Sequence, residues 1–280
     1  MLVNYNLTPS EHLPTNIKMY IGMTEHLLEA NLLGFANKEI VFLGCQGSQN
    51  YNLDTPKSDL DTKLLTLPSF ANLAMNKTPL STTHILKNND HMDLKDIRLF
   101  IPTLRKQNVN FVEMLFTDYY FINDLYAEEW NKLIKAREEI ARYSPNDTIK
   151  AMRGIAYNKY KVFNNKVSEG MREDLGYDPK QVYQLGRVVE FLERYMEGKE
   201  TYAELLKTKQ RDKLLSLKRG DLTLTEAEEY MNTELTRVEA LTIDYLATWR
   251  PINMDVYKLL DEVQYNIMKT YMQEVVKYVC

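Results

Sequence analysis

Apolar residues change their spacing several times over the first 123 positions and then settle into a single helical spacing. Over residues 15–33, Ile17, Tyr20, Ile21, Leu27, Leu28 and Leu32 recur close to the α-helical period, and Gly34 supplies a stop, so a helix is predicted there. The run Glu39-Ile40-Val41-Phe42-Leu43-Gly44 is short, continuous and rich in β-branched and aromatic side chains, which reads as a buried strand. Residues 58–67 predict a second strand and residues 83–87 a weaker third. Asp93 is placed to cap a helix running to about Lys106, with Ile97, Phe100, Ile101 and Leu104 along one side. The run Asn110-Phe111-Val112-Glu113-Met114-Leu115-Phe116 reads as a further strand.

The second half predicts helix throughout, over residues 124–143, 147–163, 179–197, 201–217, 225–246 and 254–279. Asp178-Pro179 is a cap followed by proline at the first helical position, and Thr225 with Glu228 fits a capping box. Gly198 and Gly220 interrupt the periodicity. The shift near Asn123 divides the chain into residues 1–123 and 124–280, and with no Gly/Ser-rich hinge between them the two parts are expected to pack together. The predicted fold class is α+β: a small mixed β-sheet with flanking helices, followed by a C-terminal helical domain.

Composition narrows this picture. Hydrophobic residues make up 44% of 280, enough for a proper core, and only 10 glycines and 9 prolines interrupt regular structure. The net charge of −4 argues against a strongly basic nucleic-acid binder while leaving room for a local basic face. Cys45 lies in an apolar run and Cys280 is the last residue, so a disulfide framework is not expected and a reducing compartment is. The first residues show no basic segment followed by an apolar stretch, and no run approaches the roughly 18 apolar residues of a membrane span, so a cytoplasmic, soluble protein is expected.

The candidate chemistry lies in Gly47-Ser-Gln-Asn-Tyr-Asn-Leu-Asp-Thr-Pro-Lys-Ser-Asp-Leu-Asp61. In an extended strand Asp59 and Asp61 share a face, and two neighbouring carboxylates disfavour joint ionisation unless a divalent cation joins them. Glu113, amid apolar neighbours, is costly unless paired or bound to metal. If its strand lay beside the aspartates, the three carboxylates would hold two magnesium ions roughly 3.5–4 Å apart, as nucleotidyl transfer uses. Gly47 and Ser48, after a strand, offer backbone N–H groups and a hydroxyl to a phosphate. Each feature alone has an ordinary reading: a solvated strand face, a salt-bridged glutamate, a plain turn. Their order along the chain is what points to chemistry.

Gly47-Ser48 followed by Asp59-Leu60-Asp61 resembles the signature of the polymerase-β-type nucleotidyltransferase superfamily. The longer string, with Asn108-Val109-Asn110-Phe111-Val112-Glu113-Met114-Leu115 and residues 177–187, resembles a bacterial and phage family of predicted nucleotidyltransferases, some associated with RNA repair. That resemblance spans roughly residues 42–220. It implies Asp59, Asp61 and Glu113 as catalytic metal ligands, and Gly47 and Ser48 as holders of nucleotide phosphate. Lys180 and Arg187, seven apart on one helix face, would then reach a triphosphate. Gln184 stands where the family usually has histidine; glutamine hydrogen-bonds but does not titrate.

Other features carry less. Lys207, Lys209, Arg211, Lys213, Lys218 and Arg219 form a basic run that fits either a nucleic-acid backbone or a solvated helix face. Tyr257, Tyr265, Tyr271 and Tyr278 recur at near-helical spacing, which favours core or interface over a base-stacking platform. The four histidines form no cluster and no nucleophilic serine or cysteine pattern accompanies them. The expectation is a magnesium-dependent transfer of an NMP from an NTP, ATP or CTP, to an acceptor hydroxyl, with an RNA 3′ end such as tRNA as the family-suggested acceptor. A protein or small-molecule acceptor is the rival within the enzyme class. A non-catalytic nucleotide-binding module is the rival outside it.

Overall fold

The computed structural model describes residues 6–56, 58–166, 168 and 170–277; the predicted end of the last helix, Tyr278 and Cys280 lie outside them. Among the described residues six strands form one mixed sheet: β1 (Leu7–Pro9), β2 (Ile40–Gln46), β3 (Asp61–Thr66), β4 (Ser81–Ile85), β5 (His91–Asp96) and β6 (Tyr120–Asn123). The order is β1-β6-β2-β3-β5-β4, antiparallel throughout except for the parallel β3–β5 pair. Helices α1 (Ile17–Leu32), α2 (Phe70–Ala74), α3 (Ile97–Arg105) and α4 (Val109–Val112) belong to this half. The second half is helical: α5 (Ala127–Lys135), α6 (Arg137–Arg142), α7 (Pro145–Asn165), α8 (Pro179–Glu197), α9 (Tyr202–Leu206), α10 (Arg211–Arg219), α11 (Leu224–Ala247) and α12 (Met254–Val276). The expected α+β class, a mixed sheet with flanking helices followed by a helical region, is what the chain adopts. No described helix is long and apolar enough to cross a membrane.

Strand alternation sorts side chains onto two cores. Leu43, Cys45 and Leu64 face α1, where Met19, Met23, Leu27 and Ala30 cover them. Val41, Phe42 and Leu65 face the other way, into one continuous core that runs through Trp130 and Ile149 to Val182 and Leu260. Trp130, fully buried, stacks on Phe42 at 4.1 Å and on Phe100 at 5.5 Å, so one indole joins the sheet, α3 and α5. Apolar burial therefore crosses position 123 without interruption.

Four sequence expectations are corrected. The inward face of α1 is Met19, Met23, His26, Leu27 and Ala30, whereas Ile17, Tyr20, Ile21, Leu28 and Leu32 are exposed. Gly22 and Ala30 explain the choice, since small residues let the helix lie close to the sheet; a Cβ at Gly22 would come within 2.7 Å of Leu60. Asp93 is not a cap but a strand residue of β5, paired with Lys63 at 3.3 Å, and Asp96 caps α3 by accepting from the Arg98 backbone N–H. The alternating burial of β5 follows its His-Met-Asp-Leu-Lys-Asp sequence, which was missed as a strand. Residues 110–116 are helical, not extended: Asn108 caps α4, and Glu113–Leu115 continue as a 3-10 turn. A short apolar run suits a buried helix turn as well as a strand, and the Asn108 cap decides it.

In the second half, the predicted 124–143 helix breaks at Ala136, and 201–217 is two helices separated near residues 207–210. Predicted 147–163 begins earlier, at Pro145, and the capping box of α11 is Thr223 with Glu226 rather than Thr225 with Glu228. Helix α8 matches its prediction, with Asp178 as cap. Replacing Trp130 by alanine should lower stability by about 3–5 kcal/mol, because it empties the junction of sheet and helices; urea unfolding followed by circular dichroism measures this.

Candidate functional site

The β2–β3 connection builds one wall of a cleft of ≈ 550 Å³. At the end of β2 the chain turns through Gly47–Gln49, and Gly47 has φ +82, a conformation costly for any side chain with a Cβ. A Cβ there would also lie 3.3 Å from Asp61 Oδ2, so glycine lets the turn close over the strand that returns. Gln46 and Asp61 are register partners, which places the turn beside the first residue of β3. Asp59 precedes the strand, on the connecting segment that Gln49 holds through the Asp59 carbonyl at 3.0 Å. Both aspartates line the cleft together with Gly47, Ser48 and Ser58.

The opposite wall comes from the helical half. Asp178 caps α8, accepting from the Lys180 N–H at 2.8 Å and from the Gln181 amide at 2.7 Å, and also from the Ser168 hydroxyl. This anchors the first turn of α8, from which Lys180, Tyr183 and Gln184 project into the cleft; Lys218 of α10 joins them. The carbonyl oxygen of Gln184 is buried and accepts no hydrogen bond. A cleft-lining acceptor in that condition is an invitation to a ligand donor.

Arg187 and Glu113 lie behind the cleft. Arg187, two turns along α8 from Lys180, stacks over the Tyr51 ring at 3.7 Å. The Tyr51 hydroxyl donates to Glu113, and the Asn50 amide donates to Glu113 Oε2 at 3.3 Å and to the Cys45 carbonyl at 3.0 Å. Burial pushes the Glu113 carboxyl above its ordinary range, against the opposing pull of Tyr51, Lys63, Arg187 and Asn50. Glu113 is on the same side of the sheet as Asp61 and Lys63, yet it supports the turn from within rather than lining the cleft. Among the described residues no three His, Cys, Asp or Glu side chains gather into a metal-ligand set, so the three-carboxylate cluster anticipated from Asp59, Asp61 and Glu113 is not assembled. The physical reason is the helical geometry of residues 109–115, which takes Glu113 out of the sheet register that would have aligned it with the aspartates.

The two walls carry opposite charge. Burial raises Asp61, partly offset by the His91 imidazole at 3.1 Å and by Lys180, while Asp59 adds to the rise. Burial, and after it Lys180, hold Lys218 below the usual lysine range, with Asp59, Asp54 and Asp61 opposing. Lys159 of α7 is likewise lowered by burial, then by Lys180 and Arg187. The acids thus crowd one another on one wall and the lysines on the other, in a partly desolvated space. A ligand that presents anionic oxygens to the lysines and a cation to the aspartates relieves both.

Sequence reasoning placed Gly47, Ser48, Asp59, Asp61, Lys180 and Arg187 at the site; the first five line the cleft, whereas Arg187 is turned onto the Tyr51 ring behind it. It missed Tyr183 in the lining and His91 against Asp61, and it read Lys218 only as part of a basic run. The other cations of that run are consumed: Lys207 pairs with Asp118, Lys209 with Glu200, Lys213 with Glu234 and Arg219 with Asp221. Arg211 donates to the carbonyls of Asn52 and Asp54, clamping the loop above the turn. In the tyrosine series Tyr271 is buried and Tyr265 exposed, which is a packing stripe and not a platform.

No known family's sequence profile matches this chain, and no curated protein matches it. Among solved structures the chain is similar to a nucleotidyltransferase-like protein from Exiguobacterium sibiricum 255-15, at 15% identity and a TM-score of 0.30 over 91% of each chain. That overlap is too loose to assign a residue or a reaction, so the reading of the site rests on its own geometry.

The raised Glu113 carboxyl has a consequence for stability. A group whose folded value lies above its unfolded one contributes most below the unfolded value, and that contribution is lost as pH rises through the folded one. Comparing urea midpoints of the native chain and Glu113→Gln from pH 4 upward, the native chain should lose ground to the variant. The loss should be about 1.4 kcal/mol per pH unit within the window between the two values, and flat beyond it.

Proposed function

We propose that the cleft binds a nucleoside triphosphate with magnesium and transfers its NMP to an acceptor hydroxyl, an RNA 3′ end being the acceptor that the motif resemblance suggests. The observation that carries this reading is the pairing of an aspartate wall, Asp59 and Asp61, with a wall of Lys180 and Lys218 that has no carboxylate at ion-pair distance among the described residues. Magnesium triphosphate is the common metabolite class that brings both counter-charges at once.

The donor chemistry fits one ion. Two carboxylates plus phosphate oxygens are a usual set for magnesium, which retains water and seldom takes an all-protein cage. The two-ion arrangement needs a third bridging carboxylate, and Glu113 is engaged with Tyr51 and Asn50 instead. When bound, magnesium supplies charge neutralisation at the phosphates and lowers the pKa of a coordinated hydroxyl. The chain's residues do the rest. Asp59 and Asp61 hold the ion's place at the mouth of β3. Ser48 and the N–H groups of the Gly47 turn meet phosphate oxygens, and Lys180 and Lys218 hold the end that departs as pyrophosphate. Gln184 accepts from a hydroxyl or amino group of the nucleoside, which a glutamine does without change of charge. The acceptor oxygen attacks the α-phosphorus, its bond to the β-bridging oxygen breaks, and the acceptor's proton is released to solvent at the open cleft mouth. Glu113 and Arg187 act through Tyr51, keeping the turn in place.

The test is to incubate the protein with magnesium and each α-labelled NTP, in the presence of RNA, protein lysate or no acceptor. Label on RNA, with pyrophosphate released, is the expected result. Asp61→Asn should cut the rate at least about 100-fold, and Lys180→Ala should act mainly by raising the NTP concentration required. Label on protein instead would move the acceptor class. No pyrophosphate with any mixture, alongside NTP affinity unchanged by Asp61→Asn, would remove the transferase reading altogether.

A further inference from the structure

A second cleft, ≈ 910 Å³, lies away from the aspartates, between the α3–α4 corner and α7. Its lining holds Arg105, Lys106, Lys150 and Lys159 against a single carboxylate, Asp147, on a chain whose net charge is −4. Two of these cations are spoken for: Arg105 pairs with Asp261 and stacks on the Tyr257 ring at 3.9 Å, and Lys150 reaches Asp147 at 3.2 Å. Lys106 and Lys159 have no carboxylate at ion-pair distance among the described residues. Asn108, Asn110 and Asn158 line the same cleft. Local positive charge this concentrated on an acidic chain is unfavourable by itself and is the footprint expected of a polyanion site.

Position adds direction. Lys159 lines this cleft from α7, the helix packed along α8, whose first turn carries Lys180 into the nucleotide cleft. A ligand with evenly spaced phosphates could run from Lys106 past Lys159 and end at Asp59 and Asp61. We propose that this cleft binds the acceptor as a single-stranded nucleic acid, its phosphates on Lys106 and Lys159 and its terminal hydroxyl directed to the aspartate wall. Calling the strand an acceptor rests on the nucleotidyl-transfer reading; that the cleft binds a strand does not. The amide side chains of Asn110 and Asn158 in the lining suit the edges of bases that are not paired.

The experiment measures binding without magnesium or NTP. Fluorescence anisotropy follows a labelled single-stranded RNA, and separately a DNA of the same sequence, over a range of salt. The native chain is compared with Lys106→Ala/Lys159→Ala and with Lys18→Ala/Lys87→Ala, a control whose first lysine is on α1 across the sheet. Loss of two phosphate contacts should weaken binding about tenfold or more at low salt and flatten the slope of log affinity against log salt by about 1.4. The control should match the native chain. RNA and DNA bound alike would mean that phosphate alone is read, and preference for RNA that the 2′-hydroxyl is read as well; both support the site. The proposal is overturned if neither strand binds, if the cleft variant keeps native affinity and slope, or if the control falls equally. Calorimetric binding of magnesium ATP to the same proteins separates the readings. ATP bound without oligonucleotide leaves nucleotidyl transfer standing and sinks this cleft, while oligonucleotide bound without ATP does the reverse.

Discussion

Tyr51 is held at the meeting of sheet and helices, and the arrangement of the site depends on that hold. Its ring lies under Arg187 of α8, its hydroxyl donates to buried Glu113, and its carbonyl accepts from the Thr208 backbone N–H at 3.0 Å. A tyrosine constrained from three sides fixes the loop that leads to Asp59. Arg211 then adds two carbonyl contacts on the next residues. The aspartates belong to the sheet half and the lysines to the helical half, so no local interaction could set their separation. Burial of one aromatic between the halves does so, and the continuous core around Trp130 keeps the halves from sliding.

The electrostatics follow from this separation. Like charges sit together on each wall because the backbone places them there, and the opposite walls are too far apart to pair directly. An isolated surface pair gains little, about 0–1 kcal/mol, so leaving the walls apart costs little where water reaches them. The partly buried members bear the strain instead: Asp61 is driven upward, Lys218 and Lys159 downward. Preorganised charge of this kind costs nothing further when a ligand of matching charge arrives, which is the property a phosphate-transfer site requires.

Basic residues show how differently the same side chain serves in different places. Along residues 205–220 the cations look like a nucleic-acid face, yet most are neutralised by Asp118, Glu200, Glu234 and Asp221. The cleft at α3, α4 and α7 has fewer cations, scattered between positions 105 and 159, and nothing in the linear sequence groups them. Charge patterning along a chain reports local composition, whereas binding depends on what remains unpaired after folding.

Local order determined much of this protein. Capping and periodicity read α8 correctly, and β2 was legible as a continuous apolar run. The Gly47 turn and the Asp59-Leu60-Asp61 segment marked one wall of the cleft, because a glycine of positive φ before two spaced carboxylates is a local arrangement that sequence spacing displays. Tertiary packing decided the rest. Which face of α1 turns inward depended on the close approach allowed at Gly22 and Ala30, a choice between two apolar faces that composition leaves open. Glu113 became a buried support because its short apolar run folded as helix against a core that no window of sequence contains. Tyr183 and Lys218 entered the site from helices that reach it only after folding, since a cleft wall is a property of distances between elements and not of the order in which they are joined.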